Sequence, residues 1–137
     1  MRATIYIDGA SRGNPGPASC SAVILAEGLP EREYGLFLGN ATNNIAEYSG
    51  IVLALEQARQ LGIDEVAIFS DSNLCVQQIG GAFKVSSKNL IPLYNRVRRL
   101  LQYFSKWEIH HIPREQNERA DSLSNRILDL HKLISQP

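Results

Sequence analysis

A strand that runs into a glycine-rich turn opens the chain and restricts its fold most strongly. Ile5 and Ile7 alternate with polar side chains, the period-two pattern of a half-buried strand. A turn rich in glycine and proline follows at residues 9–16 and places Asp8 at the carboxyl end of the strand. Because ligands of α/β sheets bind at the carboxyl ends of strands, Asp8 is a candidate functional residue. The alternative is a turn carboxylate that bonds to nearby backbone amides.

The rest of the chain predicts two more strands, followed by alternating helices and strands. The predicted strands cover residues 18–26, 33–38, 66–69 and 107–112, and the predicted helices cover residues 48–61, 74–79 and 90–104, with a last helix capped by Asn117 or a near neighbour. The order β-β-β-α-β-α-α-β-α indicates an α/β fold. Three antiparallel strands come first, and the first and fourth strands should be adjacent and parallel.

Length and composition favour one globular domain over residues 1–137, with the last few residues frayed. No apolar run approaches the roughly 20 residues that a membrane span needs, and the N-terminus lacks a signal-peptide pattern. Cys20 and Cys75 are isolated in the sequence, which is typical of structural or free thiols in a reducing cytosol. We therefore expect a cytoplasmic protein with no membrane contact.

Charge is balanced overall but unevenly distributed. Between residues 84 and 107 the chain carries six basic residues and no acidic one, although its net charge is zero. Such polarity favours a molecule that holds a polyanion on one face and cations on another. Lys84 and Lys88 are candidate nucleic-acid contacts, and a merely solvated helix face is the alternative.

Three further carboxylates should join Asp8. Asp71 follows the predicted strand at residues 66–69, Glu47 lies in the first turn of a predicted helix, and Asp121 lies in the first turns of the last helix. Glu47 taken alone could equally be a capping or helix-dipole carboxylate. Four carboxylates on one site repel each other unless divalent cations bind them, and Mg²⁺ takes oxygen ligands of this kind. Two ions roughly 4 Å apart can clamp both oxygens of a phosphodiester displacement.

The carboxylates lie in four segments that resemble the signature segments of type 1 ribonuclease H, in the family's order and spacing. These segments are residues 8–16 (DGASRGNPG), 42–47 (TNNIAE), 70–72 (SDS) and 117–121 (NERAD). The resemblance implies a ribonuclease H-like fold, a five-stranded mixed sheet flanked by helices. It also implies Mg²⁺-dependent endonucleolytic cleavage of the RNA strand of RNA/DNA hybrids, with Mn²⁺ as a substitute ion and with 5′-phosphate and 3′-hydroxyl products.

The resemblance also assigns roles to residues. Asp8 would bridge two ions, Glu47 and Asp71 would complete the site on the leaving-group side, and Asp121 would hold the ion that presents the attacking water. The implied nucleic-acid contacts are Gly9, Asn14, Asn43, Asn44 and Asn73 in the minor groove, Thr42 with Asn40 at a DNA phosphate, and Ser72. Small polar side chains suit the 2′-hydroxyl, which both donates and accepts hydrogen bonds. Turn and cap chemistry is the alternative role for the asparagines, and both roles can hold together.

Two departures from the family pattern matter. Residues 80–88 are too short for the basic extension of many members, so the sequence resembles the compact bacterial and archaeal subgroup. Extension-bearing members also carry a histidine before the last carboxylate, a place that Arg114 is the better candidate to fill here. His110 and His111 lie in the predicted last strand, where only one of them could face the site. Because arginine cannot shuttle protons at neutral pH, Arg114 would act catalytically through its charge.

Two other functions are compatible with the same residues. A DNA nuclease of the same fold, integrase-like or junction-resolving, would share the carboxylates, and a non-catalytic hybrid-binding module would share the basic face. The asparagine-rich set favours RNA recognition, and the anionic cluster disfavours a pure binder of phosphates. We expect a monomer that binds RNA/DNA hybrid, and cleavage of double-stranded RNA stays undecided by the sequence.

Overall fold

The computed structural model describes residues 1–136 and confirms the predicted order of elements. The strands are β1 (Arg2–Ser11), β2 (Gly16–Ala26), β3 (Arg32–Ala41), β4 (Glu65–Ser70) and β5 (Lys106–His111); the helices are α1 (Asn43–Gln60), α2 (Asn73–Ile79), α3 (Ile91–Leu101) and α4 (Glu118–Ser135). A single 3₁₀ turn at Arg114–Gln116 precedes α4. Among the described helices, none combines the length and the apolar character needed to cross a membrane.

The five strands form one mixed sheet in the order β3-β2-β1-β4-β5. The first three strands pair antiparallel, whereas β1 with β4 and β4 with β5 pair parallel. The expected parallel contact between the first and fourth strands is therefore confirmed. It requires a crossover, which α1 provides.

The apolar core lies between the sheet and α1, with α3 packed behind α1. Ile5 and Ile7 of β1 are fully buried against Ile51 and Leu55 of α1. Each such side chain stabilises the fold by about 1.5–3 kcal/mol relative to an exposed one. Helix α4 contacts β1, β2 and β3, and this packing fixes where the start of α4 lies relative to β1.

Several element boundaries differ from the sequence predictions. Strand β1 does not end at Asp8, because its antiparallel pairing with β2 continues to Ser11. Strand β3 extends to Ala41 and does not end at residue 38 as predicted. Gly39 and Asn40 are typical turn residues, yet Asn40 pairs with Pro17 and Ala41 pairs with Gly16. A turn signal in the sequence was therefore overridden by pairing with the neighbouring strand.

Helix α1 begins earlier than its apolar periodicity predicts. The Thr42 side chain accepts a hydrogen bond from the Ile45 amide at 3.2 Å and caps a helix that starts at Asn43. The prediction that Glu47 lies in the first turn is therefore wrong. Glu47 is the fifth residue of α1 and lies in its second turn, too far along the helix to act as a cap.

Candidate active site

Three carboxylates meet at the carboxyl end of the β1–β4 pair. The parallel register ends at Tyr6 opposite Phe69; two residues further along the chain lie Asp8, still in β1, and Asp71, directly after β4. Oxygen atoms of Asp8, Glu47 and Asp71 all lie within 4.8 Å of one another. Asp8 and Glu47 are buried and Asp71 is half-buried, so the group is withdrawn from bulk water.

Glu47 reaches the sheet because α1 lies directly against β1. A Cβ atom on Gly9 would lie 2.3 Å from the backbone carbonyl carbon of Ala46, so only glycine fits at this position. The Gly9 amide donates to Glu47 Oε1 at 3.1 Å, and the Ser70 hydroxyl lies 3.4 Å from Oε2. Close backbone contact thus holds Glu47 in place, a role for Gly9 that the resemblance did not indicate.

Burial and mutual repulsion disfavour negative charge on this cluster. Burial, followed by the charges of Asp71 and Asp121, raises the pKa of Asp8 to about 7, although hydrogen bonds from Ser124 and from the Gly9 amide oppose the rise. Burial, then the charges of Asp8 and Asp71, raise the pKa of Glu47 well above its ordinary value. Asp8 Oδ2 is buried and has no hydrogen-bond partner within residues 1–136. A divalent cation would satisfy these oxygens, so the donor set fits such an ion.

Asp121 shares a cavity of about 490 Å³ with the three clustered carboxylates but stands apart from them. Its half-buried side chain lies 3.4 Å from Arg114 Nη2 and 3.3 Å from Asn125 Nδ2. The guanidinium of Arg114 is mostly exposed and also lines the cavity. Arg114 therefore pairs with Asp121 and not with Glu115 or Glu118, its neighbours in sequence.

Asn117 has a role that the sequence did not reveal. It precedes α4 but makes no side-chain cap; instead its Nδ2 donates to the Ile7 carbonyl at 2.8 Å and lies 3.5 Å from Asp71 Oδ2. The side chain is 1% exposed, so it is part of the interior. Its backbone carbonyl accepts from the Asp121 amide at 3.1 Å. Asn117 thus joins the segments that carry Asp8, Asp71 and Asp121.

Comparisons with known proteins agree with this geometry. A family model described as "Reverse transcriptase-like" matches residues 7–127. Ribonuclease HI of Halobacterium salinarum is 44% identical over 129 residues, which cover 93% of this chain and 65% of that protein. Its crystal structure superposes with a TM-score of 0.90 at 43% identity, covering 94% of this chain and 98% of that one. The chain belongs to the type 1 ribonuclease H family.

Two further relatives support the family assignment. The bifunctional protein Rv2228c of Mycobacterium tuberculosis is 39% identical over 133 residues, which cover 94% of this chain and 36% of that protein. LC11-RNase H1, solved in complex with an RNA/DNA hybrid, gives a TM-score of 0.84 at 37% identity, over 90% of this chain and 94% of that one. The chain therefore spans about two thirds of the length of the Halobacterium salinarum protein and about one third of the length of Rv2228c.

The asparagines that the family resemblance marks as substrate contacts also hold the turn next to the site. Asn14 Oδ1 accepts from the Asn43 amide at 2.9 Å, and Asn43 Oδ1 accepts from the Ser11 amide at 3.0 Å. The Ser72 hydroxyl caps α2 by accepting from the Cys75 amide at 3.3 Å. These bonds are the turn and cap chemistry that the sequence offered as an alternative. Asn14 and Asn43 are nevertheless exposed, so their remaining polar atoms stay accessible to a ligand.

The other predicted nucleic-acid contacts lie on the surface. Exposed side chains are found at Asn40, Asn44, Asn73, Lys84 and Lys88. Their contact with nucleic acid stays a prediction. Part of the basic run has another use, because Arg98 donates to the Ile79 carbonyl at 2.9 Å and Arg96 pairs with Glu56 at 3.1 Å. Those two arginines therefore support packing of α3.

The two histidines do not join the carboxylates. His110 lies 3.5 Å from Glu108 and stacks on Phe69, on the face of the sheet that also carries Tyr6. Neither His110 nor His111 is among the described residues that line the cavity. Arg114 does line the cavity, as its position in the loop before Asp121 predicts.

Proposed function

We propose that this chain is a Mg²⁺-dependent endoribonuclease that hydrolyses the RNA strand of RNA/DNA hybrids through a two-metal mechanism. The observation that supports this most is the compact group Asp8, Glu47 and Asp71, with Asp121 in the same cavity. Family membership adds weight, and one relative was solved in complex with an RNA/DNA hybrid. The expected products carry 5′-phosphate and 3′-hydroxyl ends.

Each carboxylate has a distinct part in the proposal. Bound Mg²⁺ ions would polarise the scissile phosphate and activate a water molecule. Asp8, with an unpartnered buried oxygen, would face both ions, and Glu47 and Asp71 would complete the ligand set beside it. Asp121 would hold the ion on the side of the attacking water. Arg114 would place positive charge next to Asp121 and the phosphate.

Recognition of RNA would come from polar groups around the cavity. Asn43 lines the cavity, Asn14 accepts a hydrogen bond from the Asn43 amide, and Asn44 is the next residue of α1. The side-chain amides of these exposed residues can both donate and accept hydrogen bonds to a 2′-hydroxyl. Thr42, at the start of α1, would bind a DNA phosphate together with Asn40. We further propose that the protein works as a monomer in the cytoplasm, where its two buried free cysteines would stay reduced.

A cleavage assay on matched substrates tests the proposal. One sequence is prepared as RNA/DNA hybrid, duplex RNA and duplex DNA, and each is incubated with Mg²⁺, with Mn²⁺ or with EDTA. We expect cuts in the RNA strand of the hybrid with either ion and none in EDTA. Preferred cutting of duplex DNA would favour an integrase-like or junction-resolving nuclease. Hybrid binding without any cleavage would favour a binding module. Cutting of duplex RNA would extend the substrate range.

Asp71→Asn is the matched control for a contaminating nuclease. It keeps the shape of the side chain and removes one charge from the ligand set. Cleavage at the wild-type rate by this variant would show that Asp71 is not a ligand or that another protein supplies the activity.

A further inference from the structure

A row of polar contacts links the turn after β1 to Asp121. Arg12, in that turn, has its Nη2 atom 2.8 Å from Asp129 Oδ1 and 3.4 Å from both the side-chain and the backbone oxygen of Asn125. Asn125 lies one helical turn after Asp121 on α4. Its Nδ2 atom lies 3.0 Å from the Asp121 carbonyl oxygen and 3.3 Å from Oδ1. Arg12, Asn125 and Asp121 all line the carboxylate cavity.

The chemistry of these three groups fixes the direction of the Asn125 amide. A guanidinium can only donate hydrogen bonds and an ionised carboxylate can only accept them. With its oxygen toward Arg12 and its nitrogen toward Asp121, the amide satisfies both neighbours. Reversing the amide would set donor against donor and acceptor against acceptor. Arg12 therefore holds Asn125 in the orientation that donates to Asp121.

We propose that Asn125 is a positioning residue for Asp121 and that Arg12 sets its orientation. The inference rests on the proposed function, in which Asp121 is a metal ligand. Asp121 needs such support because it stands outside the compact group of three carboxylates and its other side-chain partner is the mostly exposed Arg114. Hydrogen-bonded partners of a ligating carboxylate fix its orientation in the same way in other metal sites.

If Arg12 and Asn125 only stabilise the fold, a different set of variants should lose activity. The contact between Asn125 and the Asp121 carbonyl is a local bond within one helix, and the pair of Arg12 with the exposed Asp129 ties the turn to α4. Asp129→Asn weakens the ion pair between Arg12 and position 129 but leaves the contacts from Arg12 through Asn125 to Asp121 in place. It is therefore the control variant for loss of that ion pair alone.

Steady-state kinetics on RNA/DNA hybrid at several Mg²⁺ concentrations separate the two roles. For Asn125→Ala we expect kcat to fall about ten-fold or more, with a rise in the Mg²⁺ needed for half-maximal rate and little change in KM. Asn125→Asp keeps the size and an oxygen for Arg12 but has no donor for Asp121, so it should lose as much. Asp129→Asn should stay close to wild type. Full activity of Asn125→Asp, or equal losses in Asp129→Asn and Asn125→Ala, would overturn the proposal.

A second measurement does not depend on catalysis. In NMR spectra of the metal-free protein, the Asn125 side-chain amide protons should exchange slowly with solvent. Arg12→Ala should speed that exchange, and Arg12→Lys should restore part of the protection. In calorimetric titration with Mg²⁺ alone, Asn125→Ala should bind the tighter ion with unchanged affinity and the weaker ion with reduced affinity. An unchanged exchange rate in Arg12→Ala would refute the proposal that Arg12 sets the orientation of the Asn125 amide. Absence of hybrid cleavage by wild type would refute the proposed function and leave the amide result standing.

Discussion

Replacement of Asp8 by Asn should stabilise the metal-free protein, and the gain should grow with pH. Burial, followed by the charges of Asp71 and Asp121, raises the pKa of Asp8 from 3.8 to about 7. In the unfolded chain Asp8 loses its proton near 3.8, whereas the folded protein keeps it until about 7. The folded state therefore binds more protons between these values. The stability that this proton contributes is complete below pH 3.8 and is lost as the pH rises through about 7.

The size of the effect follows from the two pKa values. At about 1.4 kcal/mol per pKa unit, the difference between 3.8 and about 7 corresponds to about 4 kcal/mol of unfolding free energy. Of this, about 3 kcal/mol falls between pH 5 and pH 7. The charge of Asp8 also raises the pKa of Glu47. Asp8→Asn therefore removes one buried charge and also weakens the repulsion that destabilises a charged Glu47, and both effects stabilise the metal-free protein.

Urea unfolding of both proteins in EDTA, at pH values from 5 to 8, measures the difference directly. The free energy of unfolding of Asp8→Asn minus that of wild type should increase steadily up to about pH 7 and then level off. Glu27→Gln, at an exposed carboxylate, is the control for loss of a surface charge. Added Mg²⁺ should stabilise wild type increasingly as the pH rises, because protons compete with the cation. A difference that is independent of pH, or that shrinks as the pH rises, would refute the reasoning.

Three further predictions concern cleavage and binding. Asp71→Asn should abolish hybrid cleavage in a gel assay, retain hybrid binding and be no less stable than wild type in EDTA; a wild-type rate would show that Asp71 is not a ligand. Lys84→Ala/Lys88→Ala should lower the slope of log affinity against log salt by roughly 0.7–0.9 for each lost phosphate contact, and an unchanged slope would remove both lysines from the interface. Arg114→Ala should lower kcat far more than hybrid affinity. Arg114→Lys should retain part of the activity, and Arg114→His should retain activity with a new pH dependence at about 6.5, the ordinary pKa of histidine. An unchanged kcat in Arg114→Ala from pH 6 to 9 would show that Arg114 does not assist catalysis.

The sequence predicted the order of the elements and the four carboxylates because both are local signals. Alternation identifies β1, apolar continuity identifies β4, and the register that ends at Tyr6 and Phe69 places Asp8 beside Asp71. Boundaries were less predictable where pairing or capping extends an element beyond its apolar pattern. Strand β3 runs through Gly39 and Asn40 for this reason, and α1 starts one residue after Thr42.

The partners of the carboxylates could not be read from the sequence in the same way. Asn117 precedes a helix, where asparagine ordinarily caps, yet its amide turns inward to the Ile7 carbonyl. Asn125 looks like one of several polar residues on an amphipathic helix, and only its distance to Arg12 separates it from a solvated side chain. Contacts over about 110 residues of sequence depend on how α4 packs on the sheet, and local patterns do not encode that packing.

The arrangement of the site explains why a cation is a better partner for it than protons are. Asp8 and Glu47 are buried next to each other, so an unbound cluster keeps protons that ordinary carboxylates lose. A single divalent ion neutralises two such charges at once and also satisfies an oxygen that otherwise has no partner in the described structure. Asp121 stands outside this group, and its side chain contacts Arg114 and Asn125 instead. The same burial that destabilises the metal-free protein therefore favours binding of a divalent ion by Asp8, Glu47 and Asp71.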